Sequence, residues 1–240
     1  MGSKNNEISI LGVKITITPK SELLKKLESD LKKNNKNIIF TPNPEILVKA
    51  HKDKKFRDIL NFSDMNIPDG VGISIASNFL HSKQVKRIRG REFMLDLLNI
   101  ASKKNYKVFF LGASEEVNVN AVKKASRAYK NAKFEGTSDV KNSLNQINKF
   151  GPHMLFVALG APKQEKYIFE NLKNTKVKLV MAVGGSLDFF VGKQVLAPTW
   201  VSRGGLEWLW RLSFDPRRIK RIFNAVVVFP ILVLLDNKSN

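Results

Sequence analysis

Three segments of the chain share one form: Phe110-Leu111-Gly112-Ala113-Ser114, Ala158-Leu159-Gly160-Ala161-Pro162 and Ala182-Val183-Gly184-Gly185-Ser186. Each closes a continuous apolar run with glycine and then supplies residues that start a helix. A run apolar at every position, rather than at alternate ones, is a strand covered on both faces. Helices do the covering, and the connection that sets successive strands parallel is the βαβ crossover. The rest of the chain fits that alternation. Strands are predicted over residues 37–40, 65–67, 107–111, 153–159 and 177–183, with a weaker one over 133–135. Helices are predicted near 45–61, after Gly70 to about residue 80, over 91–104, from Ser114 with Glu115 and Glu116 in its first turn, and from Pro162. Residues 8–17 alternate as a half-exposed β-ribbon does. The expected fold class is α/β: a mostly parallel central sheet with helices on both faces, Rossmann-like. It occupies residues 1–198, and a C-terminal helical, membrane-associated appendage occupies 199–240.

In an open sheet of this kind all strand ends lie on one edge, where ligands bind. Gly112, Gly160, Gly184, Gly185, Thr41, Asn43 and Asp69 all follow predicted strands, so they are expected to meet at one crevice. Thr41 and Asn43 stand in Thr41-Pro42-Asn43-Pro44-Glu45, where two prolines fix the backbone and remove two donors. Asp69 sits between Pro68 and Gly70. A carboxylate there, beside apolar walls, suits a general base; it equally suits a cap for the helix that follows. Lys163 and Gln164 open a helix, and a lysine with free backbone amides suits an anion. Gly184-Gly185-Ser186 offers a second amide nest. Together these features point to a phosphate-containing ligand across the sheet edge.

The charge is consistent with an anionic ligand. Lys and Arg number 41 against 21 Asp and Glu, a formal net charge of +20. Lysines are spread along the chain, whereas eight of the ten arginines fall into two groups, Arg87, Arg89 and Arg91, and Arg203, Arg211, Arg217, Arg218 and Arg221. Lysine is a solubilising point charge; the arginine fork matches phosphate oxygens. A basic nucleic-acid-binding domain is the rival reading of +20, but aromatic residues interleave with basic ones only in the tail. A membrane-docked nucleotide-sugar sensor without turnover is a further rival. With no cysteine there is no disulfide, thiolate metal site or Cys nucleophile.

Several common motifs fail. Gly185 and Gly192-Lys193 are wrongly spaced for a Walker loop, and Gln194 replaces its hydroxyl residue. Ile75 stands where a dinucleotide fingerprint needs its third small residue. Gly184-Gly185-Ser186-Leu187-Asp188 lacks the closing glycine of a nucleophile elbow. His51, His81 and His153 have no ligand spacing, and Asp-x-Asp does not occur.

The polar N-terminus is not expected to be a secretory signal. The apolar run 225–235, interrupted by Pro230, is shorter than the roughly 20 residues of a membrane span. All three tryptophans, Trp200, Trp208 and Trp210, lie in the tail. Asp215-Pro216 is expected to start a helix whose first residues, Arg217-Arg218-Ile219-Lys220-Arg221, oppose its dipole. An anionic partner offsets that cost, and aromatics, a basic cluster and an apolar stretch together suit a membrane interface.

Five segments in order, Thr41-Pro42-Asn43-Pro44-Glu45, Pro68-Asp69-Gly70, Gly160-Ala161-Pro162-Lys163-Gln164-Glu165, Gly184-Gly185-Ser186 and Gly205-Leu206-Glu207-Trp208-Leu209, resemble the WecG/TagA/CpsF glycosyltransferases over residues 10–221. The resemblance implies an α/β fold with a C-terminal membrane-targeting appendage. It implies an inverting, metal-independent, cofactor-free transfer from a UDP-sugar donor to an undecaprenyl-diphosphate-linked acceptor. In the TagA branch this is N-acetylmannosamine onto N-acetylglucosamine, for wall teichoic acid; other family members use a uronic acid or a hexose. By the same resemblance Asp69 is the general base, with Thr41 beside it in the catalytic set. Asn43, Arg87 and Gln164 are polar pocket residues, and Asp188 lies near the nucleotide. Arg211, Arg218 and Arg221 reach the lipid diphosphate or the donor. The implied place is the cytoplasmic face of the membrane, peripherally bound to an anionic surface, without nucleic acid, and a homo-oligomer is compatible with the same features. One departure is the short segment Thr137-Ser138-Asp139 after Gly136, where many members carry an aromatic residue and a longer loop.

Overall fold

In a computed structural model of the chain, which describes residues 6–194, 198, 201, 207–214 and 219–236, the apolar runs become one six-stranded sheet. The chain begins with a hairpin of β1 (Glu7–Ile10) and β2 (Val13–Thr16), then α1 (Lys20–Lys32). It continues through β3 (Asn37–Phe40), α2 (Pro44–Lys52), α3 (Lys54–Asn61), β4 (Met65–Asn66), α4 (Val71–His81) and α5 (Gly90–Lys103). Then come β5 (Lys107–Gly112), α6 (Glu115–Ala128), β6 (Lys133–Thr137), α7 (Ser143–Phe150), β7 (Met154–Ala158), α8 (Lys163–Asn171), β8 (Leu179–Ala182) and α9 (Ser186–Val191). Strand order is β4-β3-β8-β7-β5-β6, and each neighbouring pair is parallel. The α/β reading therefore holds, and the ends of β3, β8 and β7 lie side by side in the middle of the sheet.

Side chains alternate between two cores, as the period of a strand requires. Phe109, Leu111, Leu155, Val157 and Val180 face one core, shared with the β1–β2 hairpin, α2, α3, α4 and α8. Val108, Phe110, Met154, Phe156 and Met181 face the other, shared with α1, α5, α6 and α9. In-register pairing sets Phe110 opposite Phe156 and Phe156 opposite Met181, a continuous apolar row across three strands.

Local chemistry explains the boundaries. Asn43 caps α2 by accepting the Ile46 N–H at 3.0 Å, with Pro44 in the first turn. The single helix expected near 45–61 is two helices. Asp53 leaves the helical conformation and its side chain accepts the Phe56 N–H at 3.1 Å, so it starts α3 afresh. Two helices, α1 and α7, stand where the sequence predicts none, and α7 shows why. That helix buries only Ser143 and Ile147, too sparse an apolar stripe to register as a period.

After α9 the described elements are α10 (Glu207–Phe214), α11 (Ile219–Phe223), a π-helical turn (Asn224–Val228) and α12 (Phe229–Asp236). Pro230 has no N–H to offer the Val226 carbonyl, and the helix widens to a π turn just before it. The apolar run 225–235 docks on the core along one side: Phe229 and Val233 are buried, in contact with α2 and α4. Val226, Val227, Ile231, Leu234 and Leu235 stay exposed. Among the described residues no helix is long and apolar enough to cross a membrane. The Asp215-Pro216 helix start, Trp200, Arg203, Gly205, Leu206, Arg217 and Arg218 lie outside the described residues, as does the side chain of Arg211 in α10.

Candidate active site

Thr41 follows β3, and its hydroxyl donates to the Ala182 carbonyl at the end of β8, 3.3 Å away. That bond fastens two of the central strand ends together. The Pro42 carbonyl accepts the Asp69 N–H at 3.0 Å, which draws the loop after β4 to the same place. The Asp69 side chain is held at both oxygens: Oδ2 accepts the Gly90 N–H at 3.2 Å, and Oδ1 lies 3.6 Å from Arg87 Nε. These surroundings differ from the apolar walls expected from sequence. Asp69 also does not cap the helix that follows it, where Gly70 is the cap residue. It caps a different helix, α5, through that helix's first N–H.

Gly90 makes the convergence possible. A Cβ there would lie 3.2 Å from Thr41 Cγ2, tighter than ordinary van der Waals contact, and 3.4 Å from Asp69 Oδ2. Neither Gly90 nor the buried Glu45 and Glu165 was picked out from sequence. The signal for Gly90 was its place between Arg89 and Arg91, where a small residue interrupts a basic run. The two glutamates close two of the family segments, but nothing along the chain signals their burial, because a carboxylate in a helical first turn suits the dipole while facing solvent.

Gln164 and Glu165 open α8 and are both buried, 3 % and 1 % exposed. Gln164 Oε1 accepts the Gly184 N–H at 2.9 Å, and its Nε2 donates to Glu165 Oε1 at 2.8 Å. Two sequence expectations change here. The Gly184 amide is taken by Gln164 and the Ser186 amide by the Val183 carbonyl, so that turn is a more occupied nest than the sequence suggested. Gln164 is a support beneath the crevice floor in addition to any contact it makes above it. Gly160 and Gly184, with φ of +74° and +51°, have open space where a Cβ would stand, as an approach for ligand requires. Gly112 does not: a Cβ there would meet Leu159 at 2.6 Å and the Ala158 carbonyl oxygen at 2.7 Å. It serves the packing of β5 against β7. Asp188 lies in the first turn of α9, with Oδ2 3.8 Å from the Cβ position of Gly185. Lys163 is exposed in the first turn of α8.

The two glutamates titrate in opposite directions. Burial pushes Glu45 up, but hydrogen bonds and charge from Lys49 and Arg221 outweigh it, and the carboxyl falls below its ordinary value. Arg221 Nε and Lys49 Nζ each lie 2.8 Å from it. This pair ties the helix after residue 219 to the start of α2. Burial pushes Glu165 up, and there the Gln164 hydrogen bond does not compensate. Arg91 is spread over the Phe189 ring at 5.3 Å. Among the described residues no group of three or more His, Asp or Glu could hold a metal ion.

Thr41, Asp69 and Arg87 are thus tied to the loops after β3, β8 and β4, Gln164 holds the Gly184 turn after β8, Gly160, Gly185 and Asp188 follow the neighbouring strand ends, and Arg221 of α11 pairs with Glu45 in the first turn of α2. A sequence model of the "Glycosyl transferase WecG/TagA/CpsF family" matches residues 8–240. An N-acetylglucosaminyldiphosphoundecaprenol N-acetyl-beta-D-mannosaminyltransferase of Bacillus subtilis is 38% identical over 208 residues, covering 84% of this chain and 80% of that protein. A protein of the same name from Staphylococcus aureus is 32% identical over 227 residues, covering 92% of this chain and 89% of its own. A third, from Bacillus spizizenii, is 32% identical over 199 residues, covering 81% and 77%. With its parallel sheet, the polar residues gathered at its central strand ends and a match that runs through both, the chain belongs to the WecG/TagA/CpsF family of glycosyltransferases.

Proposed function

We propose that the chain transfers N-acetylmannosamine from a UDP donor to N-acetylglucosamine carried on undecaprenyl diphosphate. The observation that carries this reading is Asp69, fixed by the Gly90 amide and Arg87 and drawn by its backbone to the loop after β3, where Thr41 bonds to the end of β8. The acceptor hydroxyl attacks the anomeric carbon and gives its proton to Asp69. The bond from that carbon to the UDP oxygen breaks, the configuration inverts, and UDP leaves with the electron pair. Arginine charge near the crevice, rather than a metal ion, meets the leaving diphosphate. Thr41, Asn43 and Asp188 orient the reactants. Gly160, Gly184, Gly185 and Lys163 line the approach of the donor.

Residues 199–240 form an appendage that completes the site with Arg211, Arg218 and Arg221. The ion pair of Arg221 with Glu45 supports its seat at the crevice rim. The same region meets the bilayer that holds the acceptor. Val71, Ile75 and Phe79 form one exposed stripe on α4, which begins beside Asp69, and α12, which packs on α4, also leaves Ile231, Leu234 and Leu235 exposed. An apolar two-helix face on a chain of charge +20 suits an anionic membrane surface, whereas two such chains repel each other.

The test is incubation with a panel of UDP-sugars and a short-chain N-acetylglucosaminyl diphosphate-lipid, with mass spectrometry of the product. A disaccharide-lipid formed from UDP-N-acetylmannosamine supports the proposal. Product only from another UDP-sugar reassigns the donor, and UDP binding with no product from any of them overturns the reading in favour of a sensor.

A further inference from the structure

An amide side chain has two nearly isosteric ends, and only its partners decide which way it faces. The Gln164 amide has one partner at each end within the protein. Its Oε1 accepts the Gly184 N–H at 2.9 Å, and its Nε2 donates to Glu165 Oε1 at 2.8 Å. Turned over, the amide would set its NH2 against the Gly184 N–H, donor against donor. An acceptor at the Glu165 end adds to that preference and holds the amide in place. Gly184 follows the central strand β8 by two residues, in a left-handed conformation with open space where a Cβ would stand. Its peptide plane is therefore set from below by Gln164, and Gln164 is set by Glu165.

We propose that Glu165 is a positioning residue for the sugar nucleotide: it fixes the Gln164 amide, which holds the Gly184-Gly185 turn in the shape that receives the donor. This rests on the donor reading above. The role uses the acceptor oxygen Oε1 and needs no negative charge. Burial favours the neutral acid, and Oε1, which takes the Gln164 hydrogen bond, can accept in either protonation state; among the described residues Oε2 has no hydrogen-bond partner. Lys49 is the charged group whose field reaches this carboxyl, and it is already engaged by Glu45.

The full chain is compared with Glu165→Gln, Glu165→Leu, Gln164→Leu and the double variant Glu165→Leu/Gln164→Leu. Two readouts are taken: the donor KM against kcat, and hydrogen exchange at the Gly184 amide by NMR. Glu165→Leu raises the donor KM about tenfold with less effect on kcat and speeds Gly184 exchange. Glu165→Gln, which keeps an acceptor oxygen, brings both back to within about threefold of the starting chain. The double variant is no worse than Gln164→Leu alone, because one acts through the other. Unchanged Gly184 exchange in Glu165→Leu overturns the lock whether or not the chain turns over. Faster exchange with an unchanged donor KM overturns its link to the donor. Should Glu165→Leu not fold, Glu165→Gln still decides: Gly184 exchange as fast as in Gln164→Leu shows that an acceptor oxygen is not enough and overturns the proposal.

Discussion

At the scale of single residues, Asp69 is held by two groups that outlast its charge. Gly90 N–H and the Arg87 guanidinium orient the side chain, and an amide of the same shape keeps one of those bonds. Asp69→Asn is therefore expected to fold normally and bind UDP within about twofold. It loses turnover by the roughly 100- to 10,000-fold that general-base catalysis contributes. Single-turnover kinetics beside UDP titration separate the two effects. The carboxylates that support the crevice predict opposite pH responses. The folded value of Glu45 lies below its ordinary value, so its stabilisation is present above the unfolded pKa near 4.5 and is lost as pH falls through the folded value. The folded value of Glu165 is raised, so the folded state keeps a proton that the unfolded chain has released, and stability declines as pH rises from about 4.5 towards that value. Urea midpoints across acidic to neutral pH should show Glu45→Gln removing a rise and Glu165→Gln removing a fall. Asp69 was legible in the sequence because Pro68 and Gly70 frame it at a strand end. The partners that orient it were not, since Gly90 reaches it from the start of another helix, and spacing along a chain does not say which helix end meets which loop.

At the scale of elements, the three apolar-run-then-glycine segments were the most legible part of the fold, yet their glycines do different things. Those after β7 and β8 leave open space, whereas Gly112 at the end of β5 fits against Ala158 and Leu159 with φ of +93°. One-letter pattern cannot separate the two cases, because both ask only for a missing Cβ. Gly112→Ala thus combines overpacking, which costs about 1–3 kcal/mol, with a backbone conformation that disfavours alanine. Chemical denaturation should show that loss in full, while the donor KM of the folded fraction stays unchanged. The break between α2 and α3 was hidden for a related reason. The apolar stripe runs on through both helices, and only the side chain of Asp53, turned back onto the Phe56 N–H, marks the restart. Removing that cap with Asp53→Ala is expected to cost about 1 kcal/mol without altering turnover.

At the scale of the whole molecule, the question is how a crevice on the edge of a sheet meets a sugar attached to a lipid diphosphate. Helix α4 starts one residue past Asp69-Gly70 and spans 11 residues, roughly 16 Å at 1.5 Å per residue. Its stripe Val71, Ile75 and Phe79 recurs every fourth position, so it faces one way along that whole length, and α12, which packs against α4, has exposed apolar residues of its own. If this face lies in the headgroup region, the general base is held at the depth where the acceptor sugar sits, and the bilayer itself aligns the reactants. Scattered lysines then act as a long-range attraction, screened by salt, while burial of the apolar stripe fixes the depth. The two contributions separate experimentally. Raising salt should weaken binding to phosphatidylglycerol-containing vesicles in the wild-type chain and in Ile75→Glu/Phe79→Glu alike. The double variant should bind those vesicles about tenfold or more weakly at every salt concentration. Both side chains are exposed and neither is among the groups that hold Asp69 or the Gly184 turn, so turnover of a water-soluble, short-chain acceptor should be unchanged in that variant, with the loss confined to long-chain acceptor presented in vesicles. Equal loss on both acceptors would place the stripe inside the catalytic site, and undiminished vesicle binding would remove α4 from the membrane face altogether.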